Sequence, residues 1–364
     1  MKILYVTAKG GIHDYRFLKK LVNDYEVLLL HYAADELIPE IDSLKGLEII
    51  SKKPAFKFFP LASELGHFKK IVEDFKPDLI HTGYVWQVGI IAAYAGIHPH
   101  LSMPWGSDIL IEPDKKFIVK KLVQKVMKTC DHVQCDAEFV KAKIMNDYGL
   151  PPEKITVFPW GIDLGLFKPQ NKAESRTLLK IPPERFAVVF NRYLEQVYGV
   201  SYMLEAFNEF AKNKNDVLLL MASDGALKNE VAAFISRNNL ESKINLIGKV
   251  TNAEIPAILG SSDVYISTSL SDGSSLSLLE ALACGLGIIV SDVPAIKEWV
   301  SEENGIVVRR KNTKQITEAL EKYYSNRELI SVHGRKNIEI AKQRADWDRN
   351  YEKLKEIYRK ISNL

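Results

Sequence analysis

Two carboxylates, Asp272 and Glu280, stand in "SDGSSLSLLEALACG" (Ser271 to Gly285), in a segment made otherwise of leucines and small residues. The buried-strand pattern "DVYIST" precedes it, and the turn-rich "SLSDGSS" predicts a helix that starts near Ser274 or Ser275 and stops at Gly285. The open N–H groups and dipole of such a start favour an anion, phosphate above all, and Gly273 leaves that anion room. On this helix Ser277, Glu280 and Cys284 share one stripe, and Leu276, Leu278, Leu279 and Leu282 cover most of the rest. A carboxylate on a buried helix must face solvent, a partner charge or the hydroxyls of a ligand, because burying it unpaired is costly.

Other residues carry comparable chemistry. Arg192 ends "FAVVFNR", where a guanidinium can clamp a phosphate bidentately or simply sit on the surface. Gly10-Gly11 directly follows the first apolar run, as either a phosphate-approaching loop or a plain turn. Asp108, in "PWGSDI", can polarise a hydroxyl or cap the segment after it. His81, in "DLIHTG", ends a strand and reads either as a site residue or as a satisfied structural histidine. The three cysteines, Cys130, Cys135 and Cys284, form no CxxC pair and no metal spacing, so neither zinc nor a disulfide framework is expected.

These residues need elements to hold them. Apolar runs such as "KILYVT", "EVLLLH" and "DLIHTG" alternate with amphipathic stretches such as "DYRFLKKLVNDY" and "FKKIVEDFK", and the rhythm repeats from "FAVVFNR" to "GIVVR". The pattern predicts an α/β protein with two doubly wound parallel sheets. The polar stretch "QNKAESRTLLKIPPER" reads as a linker and domain entrance. The expected organisation is an amino-terminal domain over 1–165, a second over 166–335, and a helical tail over 336–364 that can cross back to the first. Ligands of such sheets bind beyond the carboxyl ends of the strands, here in the cleft that two domains leave between them.

Composition excludes several classes. With 49 basic and 46 acidic residues in 364, the net charge of +3 argues against a nucleic-acid surface as the main business of the chain. Met1-Lys2 leads straight into a strand-like run, and the longest apolar stretch, around "VGIIAAYAGI", is too short to span a bilayer. The expected location is cytoplasmic, with peripheral contact at the inner face of a membrane as an added option. Two segments motivate that option. "DKKFIVKKLVQKVMK" sets Lys115, Lys116, Lys120, Lys121, Lys125 and Lys128 around an apolar stripe of Phe117, Ile118, Leu122, Val126 and Met127. "KKPAFKFFP" sets Phe56, Phe58 and Phe59 among Lys52, Lys53 and Lys57. Such surfaces rest on anionic lipid, or they are core-packed with a solvated lysine face.

The frame "DGSSLSLLEALACG" resembles the signature of glycosyltransferase family 4, E-G-x-x-x-x-x-x-E-A-x-A-x-G, with Asp272 in place of the first glutamate and Glu280 as the second. "PDLIHT", "EKITVFPWGIDLGLF", "NRYLEQVYG", "ASDG", "NLIGKV" and "SDVPAIKEWV" follow the same family in order along the whole chain. The resemblance implies the two-domain GT-B fold and retaining, metal-independent transfer of a hexose-type sugar from a nucleotide-diphosphate donor to a saccharide or lipid-linked acceptor. It implies no cofactor, and it leaves oligomeric state open.

Residue by residue, it implies that Glu280 binds the donor ribose and Asp272 the donor sugar. The backbone of Gly273, Ser274, Ser275 and Leu276 meets sugar and diphosphate, and Arg192 meets the phosphates. Gly10 and Gly11 approach those phosphates, while Lys249 and Val250 border the base. Asp163 fixes the turn of "GIDLGLF" with Phe167 packed under it. The sequence departs from the family in three places. Tyr198 stands where relatives carry a second cation, with Lys249 as a conceivable substitute. Trp105 stands where many relatives have an acceptor-side histidine, leaving Asp108 and His81 on that side, and Asp272 is one methylene shorter than glutamate. Two rivals stay open: a GT-B sugar-nucleotide epimerase, less attractive because such enzymes use carboxylates and histidines in a different frame and told apart by an epimerised donor without acceptor, and, motivated by the missing lysine and histidine, a non-catalytic sugar-nucleotide-binding or scaffold subunit, told apart by binding without turnover.

Overall fold

The computed structural model describes residues 1–32, 36–53 and 62–362, so Phe56, Lys57, Phe58 and Phe59 lie outside the described residues. The apolar runs become parallel strands. In the first unit they are β1 (Lys2–Thr7), β2 (Glu26–His31), β3 (Leu47–Ser51), β4 (Leu79–Gly83), β5 (His100–Met103), β6 (His132–Cys135) and β7 (Ile155–Val157), in the order β3-β2-β1-β4-β5-β6-β7. In the second they are β8 (Phe186–Phe190), β9 (Val217–Met221), β10 (Ile244–Leu246), β11 (Val264–Ser267), β12 (Gly287–Ser291) and β13 (Ile306–Val308), in the order β10-β9-β8-β11-β12-β13. The units comprise Met1–Phe158 with Glu352–Leu364, and Pro159–Tyr351.

Near-continuous aliphatic strands are what a sheet covered on both faces requires. In the second unit the two-residue period sorts them. Phe186, Val188 and Phe190 of β8 and Val264 and Ile266 of β11 join one core, with the helices Val200–Phe210 and Thr313–Ser325. Val189 and Tyr265 join the other, beneath the helix Leu276–Cys284. In each sheet the strand order reverses once, between β1 and β4 and between β8 and β11, and the loops that leave these strands at their carboxyl ends are the natural place for a ligand.

The stretch expected to be a linker is instead structured. Asn171 caps a short helix, Lys172–Leu178, by accepting from the amides of Ala173 and Glu174. Arg176 in that helix is buried and pairs with Asp263 at 3.0 Å, while Asp263 also accepts from the Ala187 amide at 2.7 Å. The segment is therefore bolted to the second sheet. Asp163 turns its Oδ1 to the amides of Gly165 and Leu166, with Phe167 buried nearby in sequence.

The final helix, Trp347–Ser362, buries Tyr358, whose hydroxyl meets His81 Nδ1 on β4 at 2.6 Å. Burial pushes the His81 imidazole down to about 3, with His100 adding to the effect, so it is neutral in the folded chain. An unfolded chain protonates this residue near its ordinary value of 6.5, so the folded state's advantage is full above that pH and is lost as pH falls from 6.5 toward 3. Replacing His81 with Gln is expected to flatten the dependence of unfolding free energy on pH between those limits, by up to about 1.4 kcal/mol per pH unit. Urea denaturation of both proteins across that range measures the difference, and identical slopes would contradict a buried neutral imidazole.

Candidate functional site

In the second unit Arg192 leaves β8 and Asp272 leaves β11, the two strands at the reversal of strand order. The guanidinium is nearly buried and donates through Nη2 to Asp272 Oδ2 at 2.6 Å and through Nη1 to Ser277 Oγ at 2.9 Å and to Ser275 Oγ. Its Cζ lies 4.2 Å from the centre of the Tyr198 ring, a cation–π distance. Burial opposes its charge, but Asp272 first, then Tyr198, Tyr265 and Glu280, hold it well above the ordinary arginine range. Burial raises the Asp272 carboxyl from its usual range, against the pull of Arg192 and of the Gly273 amide. Of the guanidinium nitrogens, Nε finds no hydrogen-bond acceptor among the described residues.

Ser275 is the N-cap of the helix Leu276–Cys284, yet its side chain makes no capping bond. It serves Arg192 instead, so the first-turn amides keep their capacity for an anion beside a fixed cation. Ser274 Oγ accepts from Trp299 Nε1 at 3.0 Å, and Tyr265 meets Ser277 at 2.9 Å. Glu280 is buried on the next turn, within electrostatic reach of Arg192, and it raises the Cys284 thiol, behind burial, to about 12. Gly285 ends the helix in the left-handed region at φ 77°.

The loop carrying Arg192 and Tyr198 is stitched on both sides. Thr268 Oγ1 donates to the carbonyls of Tyr198 at 3.1 Å and Gly199 at 3.0 Å, and Leu270 N donates to Val197 O at 2.8 Å. Leu194 N donates to Asp224 O in the "ASDG" loop at 3.0 Å. Gly199 sits at φ 63°, and a Cβ there would lie 2.2 Å from Thr268 O, so no other residue fits. Tyr198 is thereby held as a platform under Arg192. Lys249 is exposed on the loop after the edge strand β10, where its charge helps, behind Lys228 and the Gly225 amide, to keep Asp224 below the usual carboxylate range. Val250 packs on the sheet's second core. Neither has a hydrogen bond or ion pair to the Arg192 cluster.

In the first unit Gly10 and Gly11 form the turn after β1. A Cβ at Gly10, φ 60°, would meet Leu37 at 2.3 Å, and Gly11 is the N-cap of the helix Ile12–Asp24. Asp14 closes this loop, accepting from Gly11 N and Tyr5 OH at 3.1 Å each, and burial pushes it up to about 6. Asp108 is fully buried after β5 and accepts from the amides of Val85 at 2.8 Å and Trp105 at 2.9 Å; burial pushes it, too, to about 6. Both of its oxygens therefore brace loops. Trp105 lies over Gly83, where a Cβ would be 3.0 Å from its Nε1, and edge-on to His13 at 5.5 Å. Tyr84, at φ 79°, and Trp86 both donate to Glu112. His81 contacts Tyr5 and Tyr358 rather than this group.

The second unit thus gathers Arg192, Tyr198, Asp272, Ser275 and the helix start into one cluster, with Glu280 a turn away. Sequence reading omitted Ser277's role as an arginine acceptor, Tyr265, Thr268, Trp299 and Asp14. Only Asp14 left a local signal, an acid three residues after an N-cap glycine. Among the described residues no group of three or more His, Cys, Asp or Glu side chains is gathered as a metal site.

The model of glycosyl transferases group 1 matches residues 171–352, and that of a glycosyl transferase 4-like region matches residues 2–137. The chain is 25% identical over 279 residues to a D-inositol 3-phosphate glycosyltransferase of Paenarthrobacter aurescens, covering 71% of this chain and 67% of that one. It is 25% identical over 304 residues to an alpha-monoglucosyldiacylglycerol synthase of Streptococcus pneumoniae, covering 78% of this chain and 64% of that one. Its fold matches Anabaena HepE, solved with UDP-glucose, at a TM-score of 0.83 and 17% identity over 99% of this chain and 100% of that one. The chain belongs to the glycosyl transferases group 1 family and is a glycosyltransferase of GT-B architecture.

Proposed function

We propose that the enzyme moves a hexose-type sugar, with retention, from a nucleotide-diphosphate sugar to a hydroxyl of a saccharide or lipid-linked acceptor. The observation that carries this reading is the nearly buried Arg192 beside the uncapped start of the helix Leu276–Cys284. Fixed donors aimed at a departing diphosphate stabilise charge as it develops and need no reorganisation at the moment of reaction. Arg192 and the first-turn amides then take the leaving phosphate without a metal ion. Glu280 accepts the ribose hydroxyls, and Asp272 meets the sugar while restraining Arg192 from the opposite side. The acceptor oxygen bonds the anomeric carbon on the face that the phosphate leaves, and its proton passes to the departing phosphate oxygen. The HepE complex with UDP-glucose supports that donor as the first to try. The names of the inositol-phosphate and diacylglycerol enzymes support a hydroxyl acceptor.

A thermal-shift series with nucleoside diphosphates and their sugar conjugates is expected to single out one base, with stabilisation of a few kcal/mol at about a hundredfold excess over Kd. Proton NMR of the product is then expected to show the donor's anomeric configuration, and EDTA to leave the rate unchanged. Stabilisation by no nucleotide, or an inverted product, would overturn the reading.

Arg192→Ala should lower kcat by about 100- to 1000-fold, the loss seen when one transition-state donor is removed. Glu280→Gln should weaken donor binding by about tenfold or more with a smaller effect on kcat, since a bond to a charged acceptor contributes about 1.5–3 kcal/mol. Steady-state kinetics with varied donor separate the two. Gly199→Ala should destabilise by about 2–4 kcal/mol from left-handed strain and overlap with Thr268 O. Gly66→Ala, on an open helix surface, should instead stabilise by about 0.5–1 kcal/mol. Urea denaturation of both variants checks these signs.

A further inference from the structure

The lysine-rich helix of the first unit, Phe117–Thr129, does not carry the single apolar stripe that its sequence suggests. Val119, Val123, Val126 and Met127 are buried, whereas Phe117 is 73% and Ile118 58% exposed on the opposite arc. At 100° per residue that outward arc also holds Lys121, Lys125 and Lys128, while Lys120 is exposed on its flank beside Met127. Beside it, on the helix Ile90–Ala95, Tyr94 is 47% exposed. Lys121 Nζ lies 5.4 Å from the Phe117 ring centre and Lys125 Nζ 5.6 Å from that of Tyr94. These four lysines have no acidic partner among the described residues, and Phe117–Thr129 contains no Asp or Glu.

A helix that merely packs on the core has no use for two large apolar side chains on its solvent face. Of seven large hydrophobic residues exposed among those described, three sit on this one patch. We propose that this face docks on an anionic lipid bilayer, with Phe117 and Ile118 entering the headgroup–acyl boundary, Tyr94 at headgroup level, and the lysines pairing with lipid phosphates. The chemistry is complementary at both levels: apolar tips for the acyl boundary, and ammonium groups on long stems that can rise to the anionic surface. The chain's net charge of only +3 makes this a local concentration rather than a general one. Among the described residues no helix is long and apolar enough to cross a membrane, so the contact is peripheral. The proposal stands on the surface alone and is independent of the donor and acceptor assigned above.

Flotation of the full chain with vesicles of phosphatidylglycerol and phosphatidylcholine at low salt, against phosphatidylcholine alone, tests it. The chain is expected to float with the anionic vesicles, to be released by high salt, and to stay behind with neutral ones. The double variant K121E/K125E should lower the partition coefficient at least about tenfold, as expected from the contribution of each basic residue near such a surface. The variant F117S/I118S should weaken flotation while its salt dependence persists. Both variants change side chains outside the core, so their melting temperatures and circular dichroism should match the parent and show that they fold. No flotation with anionic vesicles, equal flotation with neutral ones, or unchanged flotation of both variants would overturn the proposal.

Discussion

A guanidinium taken out of water has to be given acceptors, and the second unit is organised around meeting that demand for Arg192. Asp272, Ser275 and Ser277 supply oxygens from the β11 loop and the helix that follows, while Tyr198 supplies a ring face from the cation's own loop. A cation held this way stays charged throughout the working pH range and has lost its rotamer freedom before any ligand arrives. Ser275 gives up its capping bond to take part, which leaves the helix start electropositive. The cation and the helix end reinforce each other because one hydroxyl is spent on Arg192.

The leucines around Glu280 have a mechanical part in this. Leu278, Leu279 and Leu282 are completely buried against the sheet, so the helix cannot rotate without breaking its packing, and Ser277 and Glu280 are fixed at one height. Tyr265 couples the two systems, with its ring in the core and its hydroxyl on Ser277. An apolar helix carrying one acid is therefore a positioning device, in which hydrophobic burial sets where the polar groups stand.

The sheets were legible because aliphatic strands and amphipathic helices differ in period, and the helix from Leu276 to Gly285 because its start and stop residues are local signals. What escaped depends on distant partners. Lys172–Leu178 looks like a linker by composition, and only the Asp263 carboxylate, far along the chain, shows why Arg176 is buried there. Phe117 and Ile118 look like part of an inward stripe until the buried positions are known to be Val119, Val123, Val126 and Met127. Asp108 and His81 were open between chemistry and structure on their sequence alone. The structure ties both Asp108 oxygens to backbone amides and His81 Nδ1 to Tyr358.

Arg192 and Asp272 are 80 residues apart in the chain. They meet only because β8 and β11 are neighbours, after β9 and β10 have been laid down on the far side of β8. Closing so long a loop costs chain entropy that no local contact returns, so the cluster forms only once β8 and β11 have paired. The integrity of the Arg192–Asp272 pair is consequently a report on the folding of the second sheet, because β9 and β10 must be in place on one side of β8 while β11 pairs on the other.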